Sequence, residues 1–148
     1  MPFAWEKEFP SLIPGDWTKT SDATRRFNCI AWAAYDDGRW WWPDPFLQYY
    51  WPPSLPRENT IECFVRAYET LGYELCDDDS LESGFEKVAI YANSIGLPTH
   101  AARQLPDGRW TSKLGNCEDI AHRNLSVLNS QLYGSAVRFL KRPLHRFP

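Results

Sequence analysis

Cys29 heads a short helical pattern in the stretch FNCIAWAAYDDGRWWWP, residues 27–43, and His100 stands near the start of a strand pattern in THAARQL, residues 99–105. A thiol is a strong nucleophile only as the thiolate. The partial positive charge of a helix N-terminus favours that form, and so does an imidazole able to hold the proton. Asn28 is a suitable N-cap for a helix whose first turn carries Cys29. Together, Cys29 as nucleophile and His100 as base would attack an amide or thioester carbonyl and form an acyl-enzyme. For each residue the structural alternative is a buried packing cysteine or a strand histidine satisfied by the backbone.

A third group should orient the imidazole. Pro106-Asp107-Gly108 separates THAARQL from RWTSKLG, and Asp-Gly predicts a two-residue hairpin turn. That register sets Gln104 opposite Thr111, Ala102 opposite Lys113 and His100 opposite Gly115 on one face, with Ser112 on the other. Gln104, Asn116 and Asp119 are the candidate orienting residues, and Asp119 is preferred. Asn28, or the backbone N–H of Cys29, would hold the oxyanion. Gln104 and Lys113 would face the substrate. Trp40, Trp41 and Trp42 would supply core, a wall for the substrate or a protein-docking surface, and since consecutive side chains cannot all face one way, at least one should be partly exposed. His122 joins the site only if the helix predicted for residues 118–128 packs near the hairpin. His145 has no role assigned.

The elements that must position these residues follow from pattern. Residues 1–27 read as an irregular arm pinned by Phe9, Leu12 and Trp17. Residues 39–56 hold seven aromatics and five prolines, which predicts an ordered loop. A helix opens at Asn59 or Thr60, with Ile61, Phe64, Val65, Tyr68 and Leu71 on one face. Strands are predicted over 73–76, over 86–93 with Val88, Ile90 and Ala92 inward, on both sides of the Asp-Gly turn, and over 135–143. The expected architecture is α+β. It comprises an arm over 1–27, one domain over 28–143 and a tail over 144–148.

A cysteine that opens a helix, followed by a histidine that opens a strand, resembles the papain-like superfamily, which includes transglutaminase-like proteins and NlpC-type cell-wall amidases. HAARQLPDGRW resembles the transglutaminase-like strand pair. The resemblance implies a nucleophile-bearing short helix packed on a mostly antiparallel sheet of four or five strands, and a thiol peptidase, amidase or acyltransferase. No glutamine precedes Cys29, where that superfamily uses one for the oxyanion. Most of the chain also resembles an uncharacterised bacterial domain family through NCIAWA, RWWWP, YWP, GFEKVAIYA, THAARQL, GRWTSKLG and EDIAH. The alternatives are a non-catalytic module binding a protein or glycan through the tryptophan loop and, by analogy alone, a toxin or effector domain.

Composition narrows the partners. A net charge of −3 and a pI near 5.6 give no reason to hold a polyanion, so nucleic acid is not expected. No apolar run is long enough to span a bilayer, and no secretory pattern opens the chain, so a cytoplasmic protein with reduced cysteines is expected. The four cysteines and DDDSLE lack zinc and calcium spacings, so neither metal nor cofactor is expected.

Overall fold

In the computed structural model, residues 9–114 and 117–144 are described. Gly115, Asn116, His145 and most of the expected tail and of the start of the arm lie outside them. The elements are β1 (Trp17–Ser21), α1 (Cys29–Ala33), α2 (Ile61–Glu69), β2 (Glu74–Cys76), β3 (Phe85–Ala92), β4 (Pro98–Gln104), β5 (Trp110–Lys113), β6 (Asp119–His122) and β7 (Ser135–Pro143). A 3-10 helix, Leu125–Leu128, lies between the last two strands. The strands form one antiparallel sheet in the order β1-β6-β5-β4-β3-β7-β2.

The sheet has seven strands rather than four or five, for two local reasons. Trp17–Ser21 was expected in an irregular arm, but it pairs with β6 as an edge strand. Residues 119–122 were expected in a helix, but they form β6 between β5 and β1. The sequence DIAH is too short for its apolar spacing to separate a helix turn from a strand, and pairing on both edges decides it. The helical tendency survives only in Leu125–Leu128, capped by Asn124 accepting from the Val127 N–H.

Both faces of the sheet are covered. On one face α1, α2 and the tryptophan loop pack over Val88, Ile90, Ala101 and Leu140. On the other, Phe9, Leu12, the 3-10 helix and Tyr133 cover Ala89, Tyr91, Ala102 and Ile120. Residues 86–92 are therefore buried without alternation, as in any strand covered on both sides. Lys87 is enclosed there and its ammonium is paired with Asp78 and Glu82.

The central hairpin is one residue out of the expected register. Leu105 and Arg109 close a three-residue loop of Pro106, Asp107 and Gly108, in which only Gly108 has positive φ. Such a loop pairs Arg103 with Thr111 and Gln104 with Trp110. A one-residue slip turns every β5 side chain over. Ser112 thus shares a face with His100, while Thr111 lies on the α1 side and accepts from Trp32 Nε1 at 3.0 Å.

Candidate active site

Asn28 fixes the first turn of α1 and ties the tryptophan loop to it. Its Oδ1 accepts from the N–H groups of Ala31, at 3.2 Å, and Trp41, at 3.1 Å, and its Nδ2 donates to the Trp41 carbonyl at 2.7 Å. Three of the amide's four hydrogen-bonding capacities are thereby used, and one Nδ2 proton stays uncommitted. Trp41 is locked into the core and donates from Nε1 to Asp36 at 2.8 Å. Its neighbours Trp40 and Trp42 then flank the opening above Cys29.

That opening is a cleft of about 370 Å³ lined by Asn28, Cys29, Trp40, Trp42, Tyr49, Thr99 and Tyr133. Cys29 is 6% exposed. Burial pushes its thiol up to about 11, and the backbone N–H groups of Ala101, Ile30 and Cys29, with the charge of Lys113, work in the opposite direction. At neutral pH the resting side chain is a thiol.

Behind the cleft, His100, Ser112 and His122 form a fully buried chain of hydrogen bonds. His122 Nδ1 lies 2.8 Å from the Asn124 carbonyl oxygen. A carbonyl can only accept, so His122 carries its proton on Nδ1 and its Nε2 is bare. Ser112 Oγ, 2.8 Å from that nitrogen, donates to it. Having given its only proton, the hydroxyl accepts from His100 Nε2–H at 2.9 Å. His100 Nδ1 is then an unprotonated nitrogen, buried and without a partner. No hydrogen bond joins Cys29 and His100. The Tyr133 ring is stacked on the imidazole at 4.2 Å and also lines the cleft, so one ring touches both the histidine and the space above the thiol.

Both histidines are held neutral. Burial pushes His122 down to about 4, and burial followed by the neighbouring His122 pushes His100 well below its usual value. A folded-state value below the unfolded value near 6.5 means that the unfolded chain binds more protons as pH falls. Stability held above pH 6.5 is thus lost as pH falls toward 4. Between pH 7 and pH 5, His122 alone accounts for about 2 kcal/mol, and His100 adds in the same direction. We expect the urea midpoint to fall over that interval, and the fall to shrink in His122→Gln. An unchanged midpoint would mean that the buried pair is already protonated.

The other sequence candidates are placed elsewhere. Asp119 does not reach His100. Its carboxylate accepts from Thr20 and, at 2.8 Å, from Ser21 on β1, because the β6 pairing sets it opposite Lys113. Gln104 donates to the Asp79 carbonyl at 3.1 Å, and it lines a different groove, with Tyr35 and Leu105. Lys113 is buried, donates to the Thr24 carbonyl at 2.9 Å and to that of Cys117, and is absent from the cleft lining. Sequence reasoning missed Ser112, which the two-residue turn had placed on the wrong face, and Tyr133, which no motif marks. His122 was weighed on a helix, whereas its strand carries it under Ser112.

Among the described residues, no helix is long and apolar enough to cross a membrane. The model of a family described as a domain of unknown function matches residues 18–141. No curated protein and no solved structure matches the chain.

Proposed function

We propose for this chain, which belongs to the DUF7689 family of domains of unknown function, a papain-like thiol hydrolase or acyltransferase activity with Cys29 as nucleophile and His100 Nδ1 as base. The observation that carries this reading is the bare, partnerless Nδ1 of His100, whose protonation state follows from the chain through Ser112 and His122 to the Asn124 carbonyl. A buried polar atom without a partner is costly, so its persistence beside a cleft that holds a thiol suits a proton acceptor. Catalytic hydrogen bonds are often long before substrate binds and tighten on binding.

In this mechanism Cys29 Sγ attacks the acyl carbonyl carbon while its proton passes to His100 Nδ1. The S–C bond forms, and the bond to the leaving group breaks as His100 returns the proton to it. Water or an amine then attacks the thioester, gives its proton to His100, and frees the thiol. Ser112 and His122 act as positioning residues, holding the ring and its tautomer. The oxyanion would be met by the Cys29 N–H and by the Tyr133 hydroxyl. That hydroxyl has no partner among the described residues and is not sealed off from solvent, and burial raises its pKa well above the usual value, keeping it a neutral donor.

The test is acylation by a p-nitrophenyl ester, read as a burst of nitrophenol and located by peptide mass spectrometry. Cys29 should be labelled far faster than Cys76, a half-buried thiol on the edge strand β2. Tyr133→Phe should slow acylation about 100-fold, the usual cost of one oxyanion donor. Equal labelling of Cys29 and Cys76 would sink the enzyme reading. A second reading, a binding cleft without catalysis, is favoured by the protonated resting thiol, and it predicts ligand binding that survives Cys29→Ala with no acylation in the parent.

A further inference from the structure

The chemical character of the cleft goes a step further than the reaction class. Of its seven lining residues, four carry aromatic rings and none is charged. The lining is not neutral by default, since charge is plentiful nearby but spent elsewhere. Asp36 pairs with Arg39, whose guanidinium lies 3.6 Å over the Tyr50 ring. Asp44 accepts from the N–H groups of Gln48 and Tyr49 and pairs with Arg57. The same Asp44 contacts fold residues 44–49 into a tight loop that presents Phe46 and Leu47, 80% and 72% exposed, beside the cleft residue Tyr49. Leu47 sits at φ +58°, a backbone conformation that leucine adopts at a cost.

The polar groups on the cleft side chains are all uncharged. They are the thiol, one Asn28 Nδ2 proton, the Tyr49 and Tyr133 hydroxyls, the Trp40 and Trp42 indole N–H groups, and the Thr99 hydroxyl, which already donates to the Tyr133 carbonyl at 2.6 Å. These can donate to a carbonyl oxygen, and they include no cation to balance a carboxylate or phosphate. An anion placed among four aromatic rings would lose its hydration without a counter-charge. At about 370 Å³ the space lies in the lower part of the range for small-molecule sites, roughly 300–1,000 Å³.

We infer that the substrate of this cleft is an ester, thioester or amide of a neutral, apolar acyl group, aliphatic or aromatic, held between Trp40, Trp42, Tyr49 and Tyr133 with its carbonyl over Cys29. The inference rests on the acyl-transfer reading above. In the covalent step the acyl carbon bonds to Sγ, its bond to the alcohol, thiol or amine breaks, and the Sγ proton leaves through His100 with that group.

Acylation of Cys29 by p-nitrophenyl acetate, butyrate, hexanoate and hemisuccinate separates the two claims. The rate should rise about fourfold per added methylene, the value of burying one CH2. The hemisuccinate should react at least about 30-fold more slowly than the butyrate, which has the same chain length. Tyr49→Ala, at a rim position outside the core, should flatten the chain-length slope, and a slope that it does not alter would move the acyl group out of this cleft. Cys29 acylation with no chain-length preference, or with preference for the hemisuccinate, would overturn the apolar-acyl inference and leave the thiol-enzyme reading standing. No acylation of Cys29 by any ester would overturn both.

Discussion

His100→Ala should lower the rate of Cys29 acylation about 1,000-fold, within the span of 10²–10⁴ that a positioned base contributes. The thiol is held up near 11 by burial, so at neutral pH almost none of it is ionised, and attack depends on a group that removes the proton as the S–C bond forms. In the parent, that group is the bare Nδ1. In the variant, the rate should climb with hydroxide through the alkaline range, toward the intrinsic ionisation of the thiol, and added imidazole should restore part of it. A merely structural histidine would give neither response. Ser112→Ala should act more weakly. It removes the acceptor of His100 Nε2–H and the donor to His122, leaving the ring free to turn, so kcat should fall with little change in KM, and Ser112→Thr should recover most of the loss. A His100→Ala protein acylated at the parent rate would remove His100 from the mechanism.

Gly134→Ala should be the most damaging single change to stability. Gly134 has φ +71°, and a Cβ placed there would lie 1.8 Å from the Ala92 carbonyl oxygen and 2.7 Å from the Asn93 Cα. The obstacle is backbone at the end of β3, a central strand, so it cannot turn aside like a side chain. We expect a loss of about 4 kcal/mol or more, among the largest single-site effects, and a thermal midpoint lower by about 10 °C or more. Gly96→Ala is the control. Gly96 has a similar φ of +82° with nothing within 4 Å of the added atom, so it carries the left-handed strain alone, about 1 kcal/mol. Equal losses at the two sites would show that the close approach at Gly134 relaxes. Because Gly134 follows Tyr133 directly, the partly folded variant should also lose its reaction with the ester.

Local chemistry was legible in the chain itself. Asn28 before an apolar run determined where α1 begins, Asn59 or Thr60 marked the start of α2, which Thr60 caps, and the amphipathic spacing after it determined which face packs inward. The proline and aromatic content of residues 39–56 excluded regular structure there, and the impossibility of three adjacent tryptophans facing one way foretold that Trp41 and its neighbours would part company. These features depend on residues within one or two turns of each other. Cys29 and the reach of a strand histidine belong to the same level, since type and capping position could be read directly.

The partners of His100 were decided by tertiary structure. Whether Asp-Gly closes a two-residue or a three-residue loop is a matter of one residue, too fine for turn propensity to resolve, yet that residue moves Ser112 from one face of the sheet to the other. DIAH became a strand because β1 and β5 were there to pair with it, a long-range gain that no local pattern records, and only then did His122 come under Ser112 while Asp119 turned toward Thr20 and Ser21. Tyr133 reached the cleft because Gly134 lets the chain pass against the end of β3. A side chain's type is written in the sequence, but its face and its neighbours depend on register between strands, and register is settled by the packing of both sheet faces together.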